Sequence, residues 1–153
     1  MSKDGSFKYH PIQMVDIDVL EITYKRKEQD SNLELDDDGT PEENHFRFFH
    51  AHSKLNDETQ TFAVKVKAVV SSSSDEMVIP YTIIAEIQGT FEVQESFPLA
   101  GVEVFAERNA PLILYPYLRE QVFGLASRAG VEQPILPLFE VPPFQIASST
   151  DME

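Results

Sequence analysis

One stretch, residues 109–136, constrains the fold more than any other. It is the longest apolar segment with helical character, and it carries an internal proline, Pro116. Asn109 is a suitable N-cap, Pro111 is tolerated in a first turn, and Gly130 is a C-cap signal. Because apolar residues extend almost all the way round this helix, we expect burial on two sides. The chain's own sheet would cover one side, and a second copy or a ligand would cover the other.

The chain before this helix is patterned as strands. Apolar and polar residues alternate in four stretches, residues 7–24, 45–55, 61–70 and 77–95. In the first stretch the apolar phase shifts near Val19 and Leu20, which predicts a bulge or bend, and Gly89 predicts another in the fourth. Short connections between the later strands indicate an antiparallel sheet, and the single apolar face indicates cover on one side. Residues 102–107 favour a short helical turn before the long helix.

The predicted fold is therefore α+β. It is a four-stranded antiparallel sheet with one long C-terminal helix and a short helix packed on one face. With 153 residues, of which 42% are hydrophobic, we expect a single domain, residues 1–153. Within it, residues 31–44 are predicted to form an acidic crossover loop. Residues 133–153 are predicted to form a Pro-rich apolar tail with a frayed end.

Charge and composition limit the classes of partner. The net charge of −14 disfavours nucleic acid and favours basic proteins or peptides. The absence of cysteine excludes disulfides and thiolate metal sites. We see neither a signal peptide nor a stretch suited to spanning a bilayer, so we expect a cytoplasmic protein that does not insert into membranes.

Two patterns raise the possibility of a metal site. His50 and His52 share one strand face and could hold a metal with a third ligand, but no local carboxylate completes the set. The acidic loop resembles a calcium loop only in part, because its twelfth position is His45 rather than glutamate. We also find no phosphate loop, nucleophile elbow or zinc-protease motif. We therefore predict a binding protein without metal or cofactor, rather than an enzyme.

A motif in the long helix carries a family resemblance. The run Leu114–Glu120 is followed by Ser127–Gly130 and then by Leu136 and Pro137. Together with Ala85–Phe91 and with Asp16 and Ile17 upstream, it resembles the signature of the SecB-type protein-export chaperones. The resemblance implies a dimer of dimers with the long helix at the interface. It also implies ATP-independent holding of unfolded polypeptides.

The resemblance predicts two binding surfaces. An unfolded client would lie along apolar side chains of the acidic loop, the helix and the tail: Leu33, Leu35, Tyr115, Leu118, Val122, Leu136, Leu138, Phe139, Val141 and Phe144. For the helix residues, core or interface is the preferred alternative. In the family the exposed sheet face docks a SecA-type translocase motor, and Asp16, Ile84 and Glu86 stand at matching positions.

Departures from the family pattern leave the function open. Leu20 replaces the family's second acid on the first strand, unless a one-residue slip lets Glu21 serve. Pro142 and Pro143 stand where the family has its final helix, and the motor-contacting tail is not apparent. Three hypotheses follow: a general holdase for presecretory proteins, a dedicated chaperone for one client such as an antitoxin, or a structural oligomer without client binding.

Overall fold

Four strands and two helices make up the part of the chain that the computed structural model describes, residues 7–26, 46–71 and 79–139. In chain order they are β1 (Ile12–Arg26), β2 (Phe46–His52), β3 (Thr61–Val70), β4 (Tyr81–Val93), α1 (Leu99–Arg108) and α2 (Ala110–Ala129). The strands form one antiparallel sheet in the order β1-β4-β3-β2. The predicted fold class is thereby confirmed. The acidic loop with Leu33 and Leu35, and the tail residues Val141 and Phe144, lie outside the described residues.

The central strands β3 and β4 show the predicted alternation of apolar and polar residues. Their inner faces are buried and apolar, formed by Phe62, Val64, Val66, Ala68, Val70, Tyr81, Ile83, Ala85 and Ile87. The intervening residues of β4, including Ile84 and Glu86, lie half-buried on the outer face. Both helices pack on the inner face, where their apolar residues join those of the strands in one hydrophobic core. The sheet is thus covered on one side, as predicted.

The edge strand β1 contains two irregularities in its pairing with β4. The register shifts between Met14 and Asp16 and again between Val19 and Glu21. The second shift confirms the bulge predicted near Val19. A bulge inserts one extra residue on one strand, so the side chains beyond it change face relative to a regular strand. This displacement determines which β1 carboxylates share the outer face.

A bulge or a bend was predicted at Gly89, and the pairing of β4 shows no register shift at that residue. Gly89 pairs regularly with Ile17 on one side and Val64 on the other. Its role is close packing, because a Cβ atom there would lie 2.8 Å from Cδ2 of Leu114 and 3.1 Å from the Phe91 ring. The missing side chain therefore lets α2 approach β4 closely.

The two helices begin and end largely as local chemistry dictates. Asn109 occupies the N-cap position of α2 but makes no side-chain capping hydrogen bond. Gly130 ends α2 in the left-handed conformation, with φ of 75°, as the sequence predicted. The predicted short turn is a longer helix, α1, which begins after Pro98 and includes Gly101. In the described ranges, neither helix has the length and apolar character needed to cross a lipid bilayer.

One side of α2 packs into the core and the other carries exposed apolar groups. The buried side consists of Ala110, Pro111, Leu114, Tyr115, Leu118, Val122 and Ala126. On the opposite side, Ile113, Tyr117 and Phe123 are 41%, 43% and 50% exposed. The sheet therefore accounts for one of the two sides on which burial was predicted.

Candidate binding site

Four aromatic side chains from three separate segments meet beside β2. Phe46 and Phe48 lie on the inner face of β2, Tyr115 lies on α2, and Phe139 follows α2 by ten residues. The Phe139 ring centroid lies 4.7 Å from that of Tyr115, 5.1 Å from that of Phe48 and 6.2 Å from that of Phe46. Phe48 and Tyr115 meet edge to face at 5.5 Å. These spacings are typical of favourable aromatic pairs. We refer to these four residues as the aromatic cluster.

A hydrogen bond ties the chain after α2 to this cluster. The Tyr115 hydroxyl donates to the carbonyl oxygen of Pro137. Burial raises the pKa of Tyr115, against an opposing effect of Arg119, so the hydroxyl keeps its proton at neutral pH. The residues from Pro134 to Phe139 carry no helix or strand and run as irregular chain over the core. Within this docked segment, Pro134 and Leu136 are buried, whereas Ile135 and Leu138 are 76% and 79% exposed.

The described client-binding candidates occupy three kinds of environment. Leu118 and Val122 have no exposed surface and belong to the core, which was the preferred alternative for the helix residues. Tyr115 and Leu136 are 5% and 3% exposed. Leu138 is largely exposed, and a second chain can contact it without any rearrangement. The structure thus brings Tyr115 and Phe139 together, and it places Tyr115 and Leu136 in the same core as Leu118 and Val122.

Sequence reasoning missed two members of the site. Phe46 and Phe48 share the inner face of β2, and neither was among the predicted binding residues. The sequence signal for them was a pair of aromatic side chains at positions i and i+2 of an edge strand. Such a strand face has to be covered by another part of the chain or by a partner. The partner is Phe139, which lies 91 residues after Phe48 in the sequence, and no local pattern links the two.

A groove lies between α2 and the docked segment. It has a volume of about 260 Å³ and is lined by Arg119, Glu120, Phe123, Pro134, Ile135 and Leu136. The Arg119 guanidinium also lies 5.8 Å from the centroid of the Tyr115 ring, within range of a cation–π contact. Exposed apolar side chains with a charged pair at the rim suit an extended peptide better than a small polar ligand.

A second exposed apolar surface lies at the β1 edge of the sheet. Five apolar residues of β1 are between 37% and 54% exposed: Val15, Ile17, Val19, Leu20 and Ile22. Ile17, Val19 and Ile22 pair with inner-face residues of β4, so they project towards the helical side. We refer to this set, together with Ile113 and Tyr117 of α2, as the β1–α2 surface.

The outer face of the sheet gathers the candidates for motor docking. Asp16 pairs with Thr90, so it shares the outer face with Ile84 and Glu86. The bulge after Val19 passes over Leu20 and places Glu21 directly across from Glu86. The one-residue slip considered from the sequence is therefore present. The acidic row borders Lys67 of β3, which lies across from Glu86 on its other side.

Comparisons with known proteins agree with the fold but provide little sequence identity. No protein-family model matches the sequence. The uncharacterized protein MJ0357 of Methanocaldococcus jannaschii is 31% identical over 84 residues, and this match spans 55% of this chain and 54% of that protein. The match therefore covers about half the length of that relative.

Two solved structures resemble this one. A protein of unknown function from Streptococcus agalactiae has a TM-score of 0.49 at 12% identity, over 84% of this chain and 97% of that chain. The Mycobacterium tuberculosis SecB-like chaperone Rv1957, in complex with a peptide from the Rv1956 HigA1 antitoxin, has a TM-score of 0.63 at 17% identity. That likeness covers 86% of this chain and 93% of the chaperone chain. The protein thus has the fold of a SecB-like chaperone.

Proposed function

We propose that this protein is an ATP-independent chaperone that holds unfolded polypeptides at the aromatic cluster and the adjoining groove. The observation that carries the proposal is the docked segment. A piece of irregular chain places one aromatic ring, Phe139, against three others and offers one carbonyl, that of Pro137, to a buried hydroxyl. An unfolded client offers the same two groups wherever an aromatic or large aliphatic residue occurs.

The proposed recognition makes few geometric demands, which suits a protein with many clients. Apolar contact is non-directional, and every peptide carries backbone carbonyls. Burying one large apolar side chain contributes about 2 kcal/mol, whereas micromolar affinity requires about 8 kcal/mol. A single cluster is therefore too weak to hold a client. Several clusters must act along one polypeptide, and this requires an oligomer.

The β1–α2 surface is the proposed place of assembly. Its apolar side chains lie on an edge strand and on the uncovered side of α2, and such surfaces mark interfaces when they are contiguous. A second copy would bury Ile113 and Tyr117 against their equivalents or against β1. The family resemblance favours a dimer of dimers. The net charge of −14 would then accumulate over the oligomer and attract basic stretches of clients.

Two forms of the function differ in their clients. The resemblance to export chaperones favours presecretory proteins, whereas the complex of Rv1957 with an antitoxin peptide favours a single dedicated client. Isolation of the native complex, with identification of the bound chains, separates them. Many presecretory proteins would indicate general export, and one dominant partner would indicate a dedicated chaperone. A pure homo-oligomer would instead indicate a structural role.

Docking on a SecA-type translocase motor is a further proposal, supported by the acidic outer face. The bulge in β1 adds Glu21 to Asp16 and Glu86 on that face. A Glu86→Lys variant should lose binding to the motor without losing client binding, because Glu86 lies on the face opposite the aromatic cluster. Absence of motor binding by the wild type would restrict the protein to the dedicated or structural form.

The holdase proposal is tested by aggregation of an unfolded client. The protein, without ATP and at a stoichiometric ratio, should suppress the light scattering of a reduced, unfolded protein. Phe48→Ala should weaken suppression because it removes a wall of the aromatic cluster. Phe49→Ala is the matched control, since Phe49 is the next residue of β2, points to the outer face and is 49% exposed. Lack of suppression by the wild type, or equal losses in both variants, would contradict the proposal.

A further inference from the structure

Three metal-binding side chains meet where β2 faces α1. His52 lies near the end of β2, on the inner face. Glu103 and Glu107 lie one helical turn apart on α1, so both point to the same side. One ligand atom from each of the three residues lies within 4.8 Å of the others. His50, which the sequence paired with His52, instead contacts the Phe48 ring.

The hydrogen bonds of His52 leave a place for a cation between its Nε2 atom and Glu107. Its Nδ1 lies 3.0 Å from the carbonyl oxygen of Ser53, which can only accept, so Nδ1 carries a proton. Its Nε2 then faces Oε1 of Glu107 at 3.4 Å, a long distance for a hydrogen bond. In the neutral ring Nε2 presents a lone pair to a carboxylate. That arrangement is favourable only if a cation, either a proton or a metal ion, lies between them.

We propose that His52, Glu103 and Glu107 bind one divalent transition-metal ion of the zinc type. Bonds of 2.0–2.1 Å in a tetrahedral site separate neighbouring ligand atoms by roughly 3.3 Å, close to the 3.4 Å between His52 and Glu107. The carboxylate of Glu103 is exposed and can move to complete the set. The Ser53 carbonyl orients the imidazole as outer partners of metal-bound histidines do. Water would take the remaining coordination position.

Such an ion would join an edge strand to the short helix. Among the described strands β2 pairs with β3 alone, and it carries Phe46 and Phe48 of the aromatic cluster. A bond network from His52 to α1 would fix the C-terminal end of this strand. The metal would therefore stabilise the wall of the proposed client site, although metal binding itself does not depend on that function.

The test uses the full chain without a polyhistidine tag. Titration with Zn²⁺ by calorimetry, and with Co²⁺ by visible absorption, should show one saturable ion per chain. His52→Ala should abolish binding, and Glu107→Gln, a conservative change at an exposed position, should weaken it about tenfold or more. His50→Ala is the control on the same strand face and should bind as the wild type does.

The outcomes distinguish a metal from a proton. Absence of saturable binding by the wild type would mean that a proton on Nε2 fills that place, and would overturn the proposal. Equal losses in His50→Ala and His52→Ala would overturn it as well. Zn²⁺ should also slow amide exchange in β2 of the wild type and leave it unchanged in Glu107→Gln.

Discussion

Replacing Phe139 by alanine tests whether the docked segment occupies the client site. The Phe139 ring contacts three aromatic side chains, so losing it should cost the docked state about 2 kcal/mol. That amount corresponds to a shift of roughly 30-fold in the docking equilibrium. A client binds only when the cluster is free, and its apparent Kd is the intrinsic Kd divided by the free fraction. We therefore expect Phe139→Ala to bind an extended apolar peptide up to about 30-fold more tightly.

The assay is fluorescence anisotropy with a labelled, positively charged peptide that contains phenylalanine and leucine. Leu138→Ala is the matched control, because Leu138 is 79% exposed and belongs to the same segment. Its apparent Kd should stay near that of the wild type. Weaker binding by Phe139→Ala would mean that Phe139 is a wall of the site, as the sequence suggested. An unchanged Kd would mean that the client and the docked segment occupy different places. Either result would refute the idea that the docked segment competes with the client for the aromatic cluster.

Three further predictions concern packing, ionisation and assembly. Gly89→Ala should destabilise the fold by about 1–3 kcal/mol in denaturant unfolding, because its Cβ would meet Leu114; Gly124→Ala, with no atom within 4 Å, should stabilise α2. Burial raises the pKa of Tyr81 from 10.0 to about 12, so the folded state holds this proton more tightly than the unfolded chain, and stability falls as pH rises from 10 towards 12. Tyr81→Phe should therefore reduce alkaline destabilisation. At neutral pH it should cost little, because the hydroxyl has no hydrogen-bond partner in the described chain. Ile113→Asp should shift the oligomer towards smaller species in light scattering, and an unchanged mass would place the interface elsewhere.

Local pattern was sufficient to predict much of the sheet. The bounds of β3 and the two faces of β4 follow from alternation, because a strand covered on one side must segregate its side chains. The cap at Gly130 and the bulge near Val19 follow from local backbone chemistry. Gly89 shows the limit of prediction from the local sequence. Its sequence context suggests a bulge or bend, whereas its actual role depends on contact with Leu114, 25 residues away.

The candidate site required contacts that the sequence does not reveal. Each aromatic residue of the cluster lies in a segment whose secondary structure was either predicted correctly or left undecided. Their meeting depends on the direction the chain takes after Gly130, and a run of prolines does not specify this. The same holds for His52, whose carboxylate partners lie on a helix more than 50 residues later. No carboxylate near His52 in the sequence completes the set, and the two that approach it in the structure belong to α1.

The two edge strands of the sheet differ in a way that would separate the proposed assembly from the proposed client binding. At β1 five apolar side chains remain half-exposed, and an edge of that kind is stabilised by a partner of fixed shape. At β2 the aromatic side chains are covered by Phe139, at the end of a segment whose Pro134 and Leu136 are buried in the core. The contact of the Phe139 ring alone can be exchanged for a similar one from another polypeptide. Because the two surfaces lie at opposite edges, an oligomer formed through β1 leaves every aromatic cluster accessible. A long unfolded chain can then engage several clusters at once, which compensates for the weakness of each.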